Sequence, residues 1–229
     1  MSRLFPEPLL VRLAPAQATV GAKRYACDPV FGSQPWHGAV EALKGIAWPR
    51  SRVTVVLSNH FVRYALVPWS KALASPAEEQ AYLRHHFVKV HGERGKGWIL
   101  RASECAPGAP RLASAVDGEL VAAIKALFAK GPAKLVSVQP ALMYVFNGVR
   151  AALPDAGAWL VIAEAERACV ALHANGAFRS VQNAKGEWRT LLERERFRAP
   201  LEGTPPDVVL LAGAAAPQDG EWKFRELAA

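Results

Sequence analysis

Apolar and polar residues alternate along the N-terminal part of the chain with two different periods. Leu9–Ala14 and Thr19–Tyr25 alternate with a period of two, which predicts β-strands, and a turn of small residues joins them. From Trp36 the apolar residues recur with a helical period, and Pro49 marks the end of the predicted helix. The chain is therefore predicted to begin as two strands followed by a helix.

Two further β-rich segments, Arg52–Leu57 and Phe61–Pro68, lie on either side of the sequence Ser58-Asn59-His60. Because Asn tolerates a left-handed backbone conformation, this arrangement predicts a β-hairpin. The Ser-Asn-His sequence is interpreted as the turn and not as a catalytic triad.

The strongest local signal in the chain predicts a helix that begins after Ser75. The Ser75 hydroxyl can accept a hydrogen bond from a free backbone amide, Pro76 suits the first helical turn, and Glu78 occupies the third position of a capping box. The helix is predicted to continue to about His91. The apolar side chains that it is predicted to bury are Leu83, Phe87 and Val90.

The rest of the chain also alternates strands with helices. The predicted strands are, in chain order, Gly97–Ser103, Arg111–Val116, Lys134–Val138, Ala158–Ala163, Ala168–Ala174, Ala177–Gln182, Val208–Ala212 and Trp222–Leu227. Helices are predicted to begin after Asp117, at Pro140 and at Glu187. Asn175-Gly176 has the composition of a two-residue hairpin turn.

The order of elements near the N-terminus returns near the C-terminus. Strands, a helix with Trp36 and a further strand open the chain, and strands, a helix with Trp188 and a further strand close it. Matched elements lie roughly 150 residues apart, as a duplicated domain with one central insertion requires. The prediction is an α/β protein in which residues 1–153 form a first lobe with an inserted subdomain and residues 154–229 form a smaller second lobe. A chance match between common α/β elements is the alternative.

The composition narrows the class of protein. Of 229 residues, 51% are hydrophobic and 21% are charged, which excludes a disordered tail and a collagen-like fibre. Lys and Arg number 28 against 20 Asp and Glu, so the formal net charge is +8. This charge suits an acidic protein, a nucleic acid or a membrane surface, and it does not choose among them.

The cysteines and the apolar stretches indicate a compartment. Cys27, Cys105 and Cys169 are far apart in the sequence and odd in number, so neither a disulfide framework nor a zinc ribbon is present, and a reducing cytoplasm fits best. The N-terminal residues are not typical of a secretory signal, and the longest apolar stretches are much shorter than a membrane-spanning helix. Any membrane contact is expected to be peripheral or through a partner.

The segment Arg52–Trp69, followed by the capped helix Ser75–His91, resembles the actin-like, ribonuclease-H-like superfamily. Within it, the chain is similar to the assembly proteins of type IV pilus and type II secretion machines, namely the PilM-like proteins and the cytoplasmic domains of GspL-like proteins. The strand Lys134–Pro140 with the helix Ala141–Arg150 resembles the corresponding family segment. The resemblance implies a duplicated actin-like ATPase fold whose two lobes have mixed β-sheets flanked by helices.

The same resemblance points to three turns that surround the nucleotide in actin-like proteins. Their residues in this chain are Ala14, Gln17, Glu164, Glu166 and Gly213. The first turn has neither the carboxylate nor the glycine that the family uses, and Pro15 removes a backbone amide. The second turn is acidic without glycine, and the third keeps one glycine of a pair. ATP and Mg²⁺ are therefore disfavoured as cofactors, no catalytic residue is assigned, and ATP hydrolysis is not expected.

The function implied is a non-catalytic cytoplasmic scaffold or adaptor in the assembly of a type IV pilus or type II secretion machine. By resemblance, its partner is the cytoplasmic tail of a bitopic inner-membrane protein or the assembly ATPase, held in a cleft between subdomains; homodimerisation is left open. A nucleotide-binding member of the superfamily is the first alternative, with phosphate contacts from Gln17, Thr19, Arg167 or Gly213.

Basic side chains cluster on the predicted helix that ends at His91 and on the loop after it. Arg84, Lys89, Arg94 and Trp98 are the candidate partner-binding residues of this cluster. A nucleic-acid-binding face also combines cations with aromatic rings, and this is the second alternative, although no known nucleic-acid-binding motif accompanies the cluster. His85, His86 and His91 lack a carboxylate or thiol at helical spacing, so no metal site is predicted.

Overall fold

In a computed structural model of the chain, the residues that can be described are 6–32, 34–73, 75–199, 206–217 and 220–227. The strands are β1 (Glu7–Ala14), β2 (Gln17–Val20), β3 (Lys23–Ala26), β4 (Ser51–Leu57), β5 (Val62–Val67), β6 (Trp98–Ala102), β7 (Arg111–Asp117), β8 (Lys134–Pro140), β9 (Ala158–Glu164), β10 (Arg167–Ala174), β11 (Ala177–Lys185), β12 (Val208–Ala212) and β13 (Lys223–Leu227). The helices are α1 (His37–Glu41), α2 (Pro76–His91), α3 (Gly118–Leu127), α4 (Ala141–Val149) and α5 (Trp188–Arg198).

The first five-stranded sheet has the order β3-β2-β1-β4-β8. β1 is antiparallel to β2 and parallel to β4, and β4 is parallel to β8. Val11 and Leu13 of β1 are buried, so the period-two pattern places one face of this strand in the core, whereas β4 buries both faces toward its end, at Val55, Val56 and Leu57. Helix α1 contacts β1, β2 and α3. We call this sheet with α1 and α3 the first lobe.

The second five-stranded sheet has the order β11-β10-β9-β12-β13. β9 is antiparallel to β10 and parallel to β12, and β12 is parallel to β13. Helix α5 covers one face of this sheet: Trp188, Leu191 and Leu192 pack with buried side chains of β9, β10 and β12, among them Trp159 and Leu172. We call this sheet with α5 the second lobe.

The two sheets therefore share one topology. In each, the first three strands form an antiparallel meander, and the fourth and fifth strands are added parallel to the first. The duplicated α/β order predicted from the sequence is confirmed.

The residues between β4 and α3 form a third sheet with the order β5-β7-β6, and α2 packs on it. Buried side chains of α2 and of the three strands make its core. They are Val67, Leu83, Phe87, Leu100, Ala113 and Ala115. We call residues 63–115 the insertion.

Contacts between Cα atoms divide the chain into two compact units. One consists of Met1–Val62 and Val116–Tyr144, and thus contains the first lobe. The other consists of Arg63–Ala115 and Val145–Ala229, so it contains the insertion and the second lobe. The boundary between lobes at residue 153 stays a prediction.

Several local predictions were wrong. β4 and β5 do not form a hairpin, because β5 leaves the first sheet and pairs with β7. The predicted strand Thr19–Tyr25 consists of two shorter strands, because the backbone turns at Gly21, where φ is +55°. Val90 is 66% exposed, because it lies on the outer face of α2.

Candidate functional site

The β1–β2 turn, which the resemblance predicts to be the first nucleotide turn, is tight, and neighbouring residues occupy its carbonyl groups. Ala14 pairs with Gln17 across the hairpin, and only two residues separate them. The carbonyl of Pro15 accepts a hydrogen bond from Cys27 Sγ (3.6 Å), and that of Ala16 accepts one from the Cys27 amide (3.0 Å). Since proline has no amide hydrogen, this turn has one backbone donor fewer for an anion.

The β9–β10 turn, which the resemblance predicts to be the second nucleotide turn, is also a two-residue connection. Glu164 pairs with Arg167 in the ladder, and the exposed Glu166 has a left-handed backbone with φ of +57°. The carbonyl of Glu166 accepts a hydrogen bond from the amide of Gly186 (3.1 Å). Of the two glutamates, Glu164 therefore ends a strand and Glu166 lies in the turn itself.

Gly213 directly follows β12 and lies against the end of β9. Its φ is +84°, and a Cβ atom at this position would overlap the carbonyl oxygen of Ala163. The structure therefore brings Gly213 next to the strand that ends at Glu164. Ala14 and Gln17 belong to the other compact unit.

Cationic side chains gather near the β9–β10 turn, and the sequence analysis identified only part of this cluster. Arg167 Nη1 donates to the side-chain oxygen (3.1 Å) and the carbonyl (3.4 Å) of Asn183, while the buried Arg167 Nε has no acceptor among the described residues. Burial lowers the pKa of Arg63, and the positive charge of Arg167 lowers it further. Burial and the charge of Arg63 likewise lower the pKa of His91.

Glu164 supplies negative charge to this cluster. Burial lowers the pKa of Arg167, and the nearby Glu164 carboxylate opposes that shift. The sequence did not identify Arg63 as part of this cluster, because β5 has the composition of an ordinary apolar strand. The arginine within the apolar sequence Val-Arg-Tyr-Ala-Leu-Val is the feature that could have indicated it. The cluster therefore combines the cations Arg63 and Arg167 with the carboxylate of Glu164.

The four candidate partner-binding residues of the insertion differ in what they contact. Arg84 Nη1 donates to the carbonyls of Gly95 (3.2 Å), Lys96 (2.8 Å) and Trp98 (2.7 Å), so it fastens the 3-10 helix Gly92–Gly97 to α2. Lys89 and Arg94 are exposed. The Trp98 ring is half-buried and lies 5.0 Å from that of His91. Lys89 and Arg94 are thus the members whose charges are available at the surface.

Metal and thiol chemistry gain no support. Among the described residues no group of three His, Cys, Asp or Glu side chains is placed to hold a metal ion. Cys169 is fully buried, and burial raises the pKa of its thiol far above the ordinary value, which makes it inert. In the part of the chain that the structure describes, no helix is both long and apolar enough to cross a membrane.

Solved structures with the same arrangement of elements identify the fold. The cytoplasmic domain of EpsL, an inner-membrane component of the type II secretion system of Vibrio cholerae, is 12% identical with a TM-score of 0.63, over 97% of this chain and 90% of that one. A protein of unknown function with an actin-like ATPase fold from Bacteroides thetaiotaomicron is 9% identical with a TM-score of 0.56, over 91% and 82% of the two chains. The chain has the actin-like ATPase fold.

A third structure with this fold is the PilM–PilN type IV pilus biogenesis complex. The matched chain of this complex is 15% identical in sequence to the present chain. The TM-score is 0.57, and the match covers 86% of this chain and 66% of the matched chain. No family model matches the sequence, and no curated protein matches it. The resemblance stated from the sequence is confirmed at the level of the fold.

Proposed function

We propose that this protein is a non-catalytic adaptor with an actin-like fold that acts in the assembly of a type IV pilus or type II secretion machine. The observation that carries the proposal is the extent of the similarity, which takes in nearly all of this chain and of the EpsL cytoplasmic domain. The similarity to the PilM–PilN complex adds a second assembly protein.

The loss of phosphate contacts supports a role without catalysis. A charge-assisted hydrogen bond is worth about 1.5–3 kcal/mol. The first nucleotide turn has no glycine and no carboxylate, it contains Pro15, and the second turn has no glycine either. The loss of three such contacts weakens nucleotide binding by more than about a thousandfold. We therefore propose that the protein acts by binding a partner protein.

The proposed partner is the cytoplasmic tail of a bitopic inner-membrane protein of the machine, or its assembly ATPase. The adaptor acts in the cytoplasm and reaches the inner membrane through this partner. The exposed cations Lys89 and Arg94 of the insertion offer a surface for an acidic segment of the partner. Arg84 contributes by holding the backbone that carries Arg94.

Nucleotide binding by altered contacts is the second candidate function, and one observation favours it. Arg63 and Arg167 place two guanidinium groups beside the β9–β10 turn, and Arg167 Nε has no acceptor in the described part of the chain. A phosphate group is one source of such an acceptor. The two candidates differ in whether Mg-ATP binds.

The adaptor role is tested by co-purification of the tagged chain from a bacterium that encodes it. We expect pilus or secretion components to be recovered with the wild-type chain and to be reduced at least about fivefold by Lys89→Glu with Arg94→Glu. Lys130→Glu, an exposed charge reversal outside the insertion, is the matched control and should leave recovery unchanged. Recovery of only ribosomes or RNA contradicts the adaptor role and favours nucleic-acid binding.

A further inference from the structure

The two lobes differ in one element. In the first lobe, α3 joins β4 to β8 through the insertion, contacts α1, and buries Leu120 and Ile124 completely. The indole nitrogen of Trp36, at the start of α1, donates to the carboxylate of Asp117, which caps the start of α3 (2.9 Å). A helix with an acidic start and an apolar stripe therefore lies beside α1.

The second lobe has no such helix in its described residues. β12 ends at Ala212 and β13 begins at Lys223, and the described residues between them contain no helical turn. Parallel neighbours are usually joined by a helix of a dozen or more residues. The connection here is shorter, so the side of α5 next to β13 lacks the neighbour that α3 gives to α1.

A groove with a volume of about 620 Å³ occupies this place. Its lining residues come from α5, from the start of β13 and from the connection before it. They are Trp188, Arg189, Leu192, Glu193, Arg196, Pro217, Gly220, Glu221, Trp222 and Phe224. The rings of Trp188 and Phe224 meet edge to face at 5.8 Å, which gives the groove an aromatic wall.

The two arginines that line the groove differ in whether they form an ion pair with a described residue. Arg196 forms an ion pair with Glu221 (2.9 Å), and Glu193 accepts a hydrogen bond from the indole of Trp222 (2.5 Å). At the start of α5, Arg189 lies over the ring of Trp188 (4.9 Å) and has no carboxylate partner among the described residues. Arg189 thus places a positive charge at this end of the groove, and the carboxylate of Glu193 lies one helical turn further along α5.

Each lobe places a tryptophan at the start of the helix that follows its third strand, and in the first lobe that indole is bonded to the acidic start of a neighbouring helix. In the second lobe, the exposed Arg189 provides a cation at the corresponding end of α5, and a cation complements the carboxylate of an acidic helix start.

We propose that the groove between α5 and β13 binds an amphipathic helix of a partner protein, one that begins with acidic residues and presents an apolar stripe. The acidic start lies at Arg189, and the apolar stripe lies along the partly exposed Trp222 and Phe224, as α3 lies along α1. The inference is drawn from the internal repeat of the fold and does not depend on which machine the adaptor serves.

The probe for this groove is a peptide with the sequence of residues 116–128, VDGELVAAIKALF, which has the stated chemistry. Fluorescence anisotropy of the labelled peptide, titrated with the full chain, should give saturable one-to-one binding. Arg189→Glu should weaken this binding by about tenfold, because it replaces attraction by repulsion. Arg194→Glu, the same reversal on the same helix but outside the groove lining, should change it less than about twofold.

A second peptide, with the residues corresponding to Asp117 and Glu119 changed to Asn and Gln, should bind more weakly and should not distinguish wild type from Arg189→Glu. The proposal is overturned if the first peptide does not bind, or if Arg189→Glu and Arg194→Glu have equal effects. Sedimentation of the chain alone tests whether a second copy occupies the groove. A dimer that dissociates on Arg189→Glu would show this and would also overturn the proposal. None of these outcomes bears on the co-purification experiment.

Discussion

The arginines of the insertion differ in what their guanidinium groups contact, and this difference separates structural from available charge. Arg84 uses one nitrogen to bind three backbone carbonyls, whereas Arg94 is exposed and has neither a hydrogen bond nor an ion pair with any described residue. The sequence shows both only as basic residues of one cluster. Which of the two guanidinium groups binds backbone carbonyls depends on the path of the 3-10 helix Gly92–Gly97, and this path is not evident from the local sequence.

Replacing Arg84 by Ala should therefore destabilise the protein. The three carbonyls would lose a charged donor, so the free energy of unfolding should fall by about 1–3 kcal/mol. Arg94→Ala is the matched control, and as an exposed substitution it should change the free energy by less than about 0.5 kcal/mol. Urea denaturation measures both values, and equal effects would show that Arg84 does not hold this loop.

Gly213→Ala should be one of the more damaging single-atom changes in the second lobe. The new Cβ would overlap the carbonyl oxygen of Ala163 in a backbone conformation that side chains rarely adopt. A loss of about 2–4 kcal/mol is expected from strain and overlap together. Gly220→Ala is the control, because Gly220 also has a positive φ, of +124°, but has no neighbour near its Cβ position. Thermal unfolding that ranks Gly220→Ala as the more harmful change would contradict this reading.

The half-buried His173 should make stability fall in mild acid. Its ring lies 5.0 Å from that of Phe146 and 5.3 Å from that of Phe178, and burial lowers its pKa below the ordinary 6.5, with a smaller contribution from Arg179. The unfolded chain then binds the proton more readily than the folded chain. The stability that neutral His173 contributes to the folded state is therefore complete above pH 6.5, and it is lost as the pH falls toward the lower pKa of the folded state.

We expect the free energy of unfolding to decrease between pH 7.5 and pH 5.5, above the range in which ordinary carboxylates titrate. His173→Gln should reduce this slope, and His91→Gln should reduce it further, because burial and Arg63 also lower the pKa of His91. Urea titrations at a series of pH values give the slope. An unchanged slope in the double variant would exclude these histidines as its source.

Helix α2 shows where local sequence is sufficient. The predicted capping box is present: the Ser75 hydroxyl accepts from the Glu78 amide (3.2 Å), and the Glu78 carboxylate accepts from the Ser75 amide (3.0 Å). The β4–β5 connection shows where it is not. The turn at Ser58 forms as predicted, but β5 continues into another sheet, because its partner β7 lies far along the chain.

The N-terminal cap of α2 should contribute measurably to the free energy of unfolding. Ser75→Ala removes one side of the capping box and should lower the free energy of unfolding by about 1 kcal/mol. Ser75→Asp, which restores an acceptor at the same position, should recover most of the loss. Denaturation curves that show Ser75→Asp as unstable as Ser75→Ala would contradict the cap as the source of the effect.

Across the whole chain, the sequence predicts the architecture better than the site. The order of strands and helices along the chain follows from short, strongly periodic segments and from their repetition, whereas the order of strands within each sheet comes from the tertiary structure. The cluster of Arg63, His91 and Arg167 joins residues from β5, α2 and β10, which only the tertiary fold brings together. The groove beside α5 arises from a missing element, which no single residue marks.

The central claim is that this actin-like fold serves protein recognition and no longer binds nucleotide. Isothermal titration calorimetry of the purified chain with Mg-ATP tests it most directly. The account predicts no saturable heat up to about 1 mM nucleotide, because the two phosphate turns lack glycine and the first contains Pro15. Saturable one-to-one binding in the micromolar range, weakened by Arg167→Ala, would contradict it and would make nucleotide binding the function of the cationic cluster.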